Sequence, residues 1–283
     1  MRDIKTYSPR KLSEALEMLA VHGPEIRVIS GATDLIVQVL EKKKDPRALL
    51  DISHLEELRY VEEDDGLIRI GPLTTHREIE KSALIRRTAP FLCEAAFLVG
   101  SPQIKNIATI GGNIANASPV ADSVPALMVL GALLTLKSRS AEREVPIDKF
   151  FTGPGKSVLR PDELLVDISF AKPRAGEVSF YERLGQRRLL SISKVGVAFR
   201  ARLERKRMSG VAVALGAVAP TVIMAPRTAA FLEGKSYSPE IAAGAARIAE
   251  EESRGISDIR STADYRNKMA GALLLRGLAR VMI

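Results

Sequence analysis

The pattern of apolar and polar positions divides the chain into segments whose periodicity changes twice along its length. Leu12, Ala15, Leu16 and Leu19 recur at the spacing of an amphipathic helix. Ser8-Pro9 offers a capping hydroxyl and a first-turn proline for its start, and Gly23-Pro24 stops it. The apolar run Ile26 to Ile29 reads as a buried strand that delivers Ser30-Gly31-Ala32-Thr33. Leu35-Ile36-Val37 and Val39-Leu40 begin a second helix, ended by Lys42-Lys43-Lys44-Asp45-Pro46, and Ala48 to Ile52 is the next strand. This is a β–α–β arrangement whose first turn points small residues at a ligand.

The middle of the chain reads differently. Leu58 to Glu62 and Leu67 to Ile70 flank Glu63-Asp64-Asp65-Gly66, the pattern of a β-hairpin. Helical segments follow at Thr75 to Lys81 and around Ala89 to Val99, then a loop from Gly100 to Ser118 and a helix beginning near Asp122. Leu133 to Lys137 and Leu164 to Phe170 are strand-like. Pro173-Arg174-Ala175-Gly176 is small, polar and flanked by strands, which marks a domain boundary. Beyond it, Val178 to Leu184, Val195 to Leu203 and Val211 to Ala219 predict three antiparallel strands. Three helices follow, Pro226 to Leu232, Pro239 to Glu251 and Ser261 to Val281. The whole is an α+β chain.

Composition narrows the class. The 283 residues are 46% hydrophobic and 27% charged, as in a globular protein. No apolar stretch reaches the roughly 20 residues that span a bilayer. The N-terminal Met1-Arg2-Asp3 carries charge where a signal peptide needs an apolar core, so the expected location is cytoplasmic. Cys93 is the single cysteine, which excludes an intramolecular disulfide and a cysteine-ligated iron–sulfur cluster within the chain. Its apolar context, Phe91 to Phe97, predicts a buried structural thiol. His22, His54 and His76 have no zinc-site spacing, and no metal site is expected. Thr75-His76-Arg77-Glu78 reads as a capping box, with His76 on the surface of the first turn. A net charge of +8 raises nucleic acid as a partner, but aromatic content is 5% and tryptophan is absent, so no stacking platform is evident. The Arg202–Arg207 cluster falls at an expected hairpin turn, where solvated charge accounts for it.

The candidate chemistry lies in two loops. Thr109-Ile110-Gly111-Gly112-Asn113 places two adjacent glycines among small polar residues and continues to Ser118-Pro119-Val120-Ala121-Asp122. Glycine permits positive φ and close approach of a ligand to backbone amides, and successive amides form a nest that suits phosphate oxygens. Val28-Ile29-Ser30-Gly31-Ala32-Thr33-Asp34 has the same character. Two such loops suit the two halves of one pyrophosphate. Each piece also has a plainer reading: the glycine pair as a tight turn, Asp122 as a helix N-cap, Arg183 as a surface charge on a strand.

Over nearly its whole length the chain resembles the FAD-binding medium subunit of molybdenum hydroxylases, the group of xanthine dehydrogenase and aerobic carbon monoxide dehydrogenase. The resemblance rests on Ser30 to Asp34, on Lys105 to Asn113 with Ser118 to Asp122, on Gly153 to Leu165, and on Tyr181 to Arg187. It implies a vanillyl-alcohol-oxidase-like (PCMH-type) FAD-binding domain over residues 1–173, with subdomains near 1–55 and 56–173, and a C-terminal domain over 177–283. By this analogy the amides of Val28 to Asp34 and of Thr109 to Asn113 hold the FAD pyrophosphate, with the Thr33 and Thr109 hydroxyls as further donors. Asp122 hydrogen-bonds the adenosine ribose, Leu165 or Val166 packs against the flavin region, and Arg183 lies near the flavin. The family's first loop has two glycines where this chain has Gly31-Ala32. Positive φ at Ala32 would cost on the order of 1 kcal/mol, and the expectation is that the loop does not need it. The resemblance further implies a molybdopterin-binding large subunit and a [2Fe-2S] small subunit as partners, and NAD+ or another acceptor for the electrons. A self-contained flavoprotein oxidoreductase of the same fold superfamily, a FAD-free scaffold and a basic nucleic-acid-binding module stand as alternatives.

Overall fold

Three short stretches at the N-terminal end pair in parallel because the chain returns through helices between them. A computed structural model describes residues 4–281, so Met1, Arg2 and Asp3 and the last two residues lie outside the described part. Strand β1 (Lys5–Tyr7), helix α1 (Leu12–His22), β2 (Ile26–Ile29), α2 (Leu35–Leu40) and β3 (Ala48–Asp51) form a sheet of order β1-β3-β2. The expected capping serine is not used. Helix α1 starts at Leu12, whose amide donates to Glu57 Oε1 at 2.8 Å, while Arg10 N, just before the helix, donates to Glu14 Oε2 at 2.9 Å. The strand expected to be buried is also different. β2 is an edge strand, with Ile26 buried but Arg27 and Val28 exposed.

The middle sheet is antiparallel. The elements in chain order are β4 (Val61–Asp64), β5 (Leu67–Ile70), α3 (His76–Lys81), α4 (Ala83–Thr88), α5 (Pro90–Leu98), α6 (Pro102–Ile107), α7 (Ile110–Ala115) and α8 (Ser123–Val129). Strands β6 (Leu133–Lys137), β7 (Glu142–Pro146), β8 (Phe151–Gly153), β9 (Lys156–Ser157) and β10 (Leu164–Ala171) follow. The sheet runs β4-β5-β10-β6-β7, so the last strand made inserts at the centre. A bulge after Leu165 lets Leu165, Ile168 and Phe170 face the large middle core, while Leu164 and Val166 face the small core under α1. The predicted Gly100–Ser118 loop is largely two six-residue helices, α6 and α7, each capped by a hydroxyl: Ser101 Oγ accepts from Ile104 N and Thr109 Oγ1 from Gly112 N. Short helices with so few apolar positions leave no periodic signal.

The C-terminal part holds β11 (Glu177–Gly185), β12 (Ser193–Glu204), β13 (Arg207–Gly216) and β14 (Ile223–Met224) in one antiparallel sheet, four strands rather than three. β14 is two residues long and too short to read as a strand. The β12–β13 hairpin turns at Arg205 and Lys206, both left-handed, which explains the basic cluster as an exposed turn. Helices α9 (Pro226–Leu232), α10 (Pro239–Glu252) and α11 (Ala263–Val281) cover one face, where Val195, Val197, Phe199 and Leu215 meet Leu274 and Leu278. The other face presents Tyr181, Ala198 and Ala214 to the middle core, beside α8.

His76 departs from its expected surface position. The capping box forms, with Thr75 Oγ1 and Glu78 bonded reciprocally. Yet the imidazole is fully buried, and neither ring nitrogen has a protein partner among the described residues. Burial, and secondarily the Lys105 ammonium, lower its pKa to about 4. Cys93 is buried as expected, its thiol pushed up to about 11 by burial, which makes it unreactive at neutral pH. An unfolded histidine takes up a proton below about pH 6.5, whereas folded His76 refuses it until about pH 4. Stability from this group is therefore complete above pH 6.5 and lost as pH falls toward 4. His76→Leu should remove roughly 2–3 kcal/mol of the acid-side loss between pH 7 and 4.5, read by urea melts at both pH values. An unchanged pH slope would refute the buried neutral imidazole.

Candidate functional site

The two loops singled out in the sequence meet. The Ser30 and Thr109 hydroxyls lie 2.9 Å apart, and Gly31 packs so tightly on the second loop that a Cβ there would fall 2.0 Å from the Ile107 carbonyl oxygen. Both loops stand at the carboxyl end of β2, the end of a parallel sheet where ligands bind. A shallow hollow of about 310 Å³ between Pro24, Arg27 and Arg47 lies at the opposite end of the same sheet and touches neither loop.

The glycines do a different job from the one expected. Gly31, Gly111 and Gly112 all have negative φ. A Cβ on Gly111 would lie 2.4 Å from Pro72 Cβ, so that glycine lets the second loop dock on the turn leading to α3. A Cβ on Gly112 would point between Thr109 Oγ1 and Ser30 Oγ, at 2.9 and 3.5 Å, into the joint between the loops. Ala32 is the residue that takes the left-handed conformation, at φ 57°, contrary to expectation. The loop does need that geometry, and here a residue with a Cβ supplies it.

The amides also divide unequally. Ile110 N donates to Thr74 O, Gly111 N to Pro72 O, Gly112 N to Thr109 Oγ1 and Asn113 N to Thr109 O, all within 3.1 Å. Four amides expected to face a phosphate are thus spent on the protein. Among the described residues, the amides of Ser30, Gly31, Ala32, Thr33 and Asp34 have no protein acceptor, while Ile29 faces β3, its carbonyl accepting from Ile52 N. The second loop contributes the Thr109 hydroxyl and the bare surface of Gly112.

Asp122 anchors the far side. It does not cap α8; its Oδ1 accepts from Tyr181 Oη at 2.7 Å and from Ser193 Oγ, with Arg183 Nε at 3.7 Å. Its pKa is raised, because burial outweighs the opposing pull of Arg183 and the two hydroxyls. Burial also raises Tyr181 well above the usual range, so it stays a donor. Arg183 is not a free cation: Nη1 donates to Leu98 O at 2.9 Å and Nη2 to the Ser191 carbonyl and hydroxyl. It clamps the 187–192 loop and neutralises Asp122. A cavity of about 420 Å³ opens here, lined by Gly100, Ser101, Asn113, Asp122 and Leu190–Ser193 among others. Leu165 and Val166 do not reach it, because β10 spends them in the two cores. Tyr181 and Ser193 were not singled out from the sequence. The readable signal was Tyr181 and Arg183 two residues apart on one strand, hence on one face.

These features suit a dinucleotide: unspent amides and two hydroxyls at one end, a buried carboxylate beside a cavity at the other. The family described as the FAD binding domain in molybdopterin dehydrogenase matches residues 2–173. The chain belongs to that family. The CO dehydrogenase flavoprotein C-terminal domain matches residues 180–281 of this FAD-binding chain. The xanthine dehydrogenase FAD-binding subunit of Escherichia coli O157:H7 is 36% identical over 214 residues, 75% of this chain and 73% of that one. The carbon monoxide dehydrogenase medium chain of Hydrogenophaga pseudoflava is 30% identical over 272 residues, 96% and 94%. The solved Hydrogenophaga pseudoflava carbon monoxide dehydrogenase that lacks the Mo-pyranopterin moiety superposes with a TM-score of 0.95 at 30% identity, covering 98% of this chain and 96% of that one. The flavoprotein fold expected from the sequence is therefore present, and the chain is of oxidoreductase class with FAD as its cofactor. Among the described residues no helix is long and apolar enough to cross a membrane.

Two adjacent substitutions should act in opposite directions. Ala32→Gly should stabilise the loop by about 1 kcal/mol by removing left-handed strain. Gly31→Ala should cost roughly 1–3 kcal/mol, because the clash is with backbone. Thermal melts of the two variants decide; a destabilised Ala32→Gly would contradict the strained alanine.

Proposed function

We propose that this chain is the electron-transfer subunit of a molybdenum hydroxylase, with FAD held between the two clasped loops and Asp122. The observation that carries the reading is the Ser30–Thr109 clasp beside five unspent amides. Amides of Ser30 to Asp34 bind the pyrophosphate, the Thr109 and Thr33 hydroxyls add donors, and Asp122 accepts from a ribose hydroxyl. FAD supplies the redox chemistry when bound, and the protein supplies binding, orientation and electrostatics. The residues around it exclude water through Val99, Ile104 and Val120 and fix the adenosine end through a carboxylate already neutralised by Arg183.

Electrons reach this subunit from a [2Fe-2S] subunit that serves a molybdopterin-binding large subunit, and leave to NAD+ or another acceptor. The chain's one cysteine supports a division of labour: Cys93 is buried and protonated, so thiolate-held clusters belong to another chain. The names of the relatives, a FAD-binding subunit and a medium chain, point the same way. Residues 1–173 then form the FAD-binding domain and 177–283 the C-terminal domain, in a cytoplasmic complex.

The test is the visible spectrum of the purified chain after FAD reconstitution and desalting. Oxidised-flavin bands should survive in the parent chain. Gly112→Val, which drives a branched side chain between Ser30 and Thr109, should lower retained flavin about tenfold or more while the far-ultraviolet circular dichroism is kept. A parent chain colourless after reconstitution would overturn the reading.

A further inference from the structure

Asp122 is held from one side only. Tyr181 Oη and Ser193 Oγ both bond Oδ1, whereas Oδ2 has no protein donor among the described residues. The side chain keeps 10% exposure, and Asp122 lines the cavity, so Oδ2 is the oxygen that faces it. Both donors come from the C-terminal sheet, Tyr181 from β11 and Ser193 from β12, while Asp122 precedes α8 in the FAD-binding part. Neither donor is loosely placed. Tyr181 is 3% exposed and lies against Gly196, where a Cβ would fall 2.8 Å from its hydroxyl. Ser193 is 2% exposed, and the next residue's carbonyl, that of Lys194, accepts from buried Arg266 at 2.9 Å.

We propose that Tyr181 and Ser193 are positioning residues of the cofactor site, which fix the Asp122 carboxylate with Oδ2 turned toward the adenosine half of FAD. This rests on the reading of Asp122 given above. The C-terminal sheet then completes the binding site through the carboxylate it holds. Two donors on one oxygen do two things. They remove the rotation that a lone buried carboxylate would keep, and they stabilise the charged form that burial opposes. Among the described residues the ionisable groups facing Asp122 are Tyr181 and Arg183, both on β11; β12 and α7 add the uncharged Ser193 and Asn113.

The test uses the full chain, with FAD titrated into the stripped protein between pH 5 and 8, and ADP as a competing probe of the adenosine half. Tyr181→Phe and Ser193→Ala should each weaken FAD and ADP about 5- to 10-fold. The acid limb of binding should move upward by roughly half a pH unit or more in the double variant, because the carboxylate loses both donors. Ser193→Thr, which keeps the hydroxyl, should restore affinity. If the parent chain binds FAD and the variants match it in affinity and pH profile, the positioning role is wrong and the FAD reading stands. Loss of binding that is equal at every pH, unrescued by Ser193→Thr and accompanied by a lowered melting temperature, is structural damage and also overturns the role. A parent chain that binds no FAD overturns both.

Discussion

Everything at the site depends on how closely two backbones can approach. Gly31 sits on the Ile107–Ala108 peptide with no room for a methyl group, and Gly111 sits on Pro72 in the same way. Those contacts bring the Ser30 and Thr109 hydroxyls within hydrogen-bond distance and fasten the second loop to the segment before α3, where Thr75 and Thr109 form an isolated bridge. Packing at this density admits no side chain, so glycine is required by space rather than by torsion. The torsional demand falls one residue later, on Ala32.

The second organising feature is a buried charge shared between domains. A carboxylate at Asp122 is costly to desolvate, and Arg183, Tyr181 and Ser193 offset that cost from the neighbouring sheet. The same guanidinium reaches Leu98 and Ser191, so one side chain ties α5, the 187–192 loop and the cavity wall together. Tyr181, Ala198 and Ala214 extend the joint as apolar contact with the middle core. The C-terminal part is therefore continuous with the site rather than appended to it.

Long elements with a clear period were legible in the sequence. Helix α9 runs from Pro226 to Leu232 as read, α10 ends one residue later than read, and the capping box at Thr75 forms as its spacing requires. Elements whose form is set by tertiary partners were not legible. Helix α1 passes over its serine because Glu57, far along the chain, supplies the cap. His76 follows a correct local motif, but its burial is decided by elements packed over it. The two loops were visible as composition, yet which amides stay free depends on Pro72 and Thr74 carbonyls that no local pattern ties to Gly111 and Ile110. The buried placement of Arg183 was not legible either, because its partners lie on three separate segments.

The position of β10 has a consequence for biosynthesis. Ile70 on β5 pairs with Ile168, and Leu134 on β6 pairs with the same residue from the other side. The central sheet cannot close while the nascent chain stops short of Ala171. At ribosomal rates, roughly 100 residues of elongation separate β5 from its partner, about 5–20 s during which its edge is open. Ile68 and Ile70, fully buried in the finished protein, lack that neighbouring strand throughout the interval. A translational pause between Gly71 and Leu164 would prolong that state.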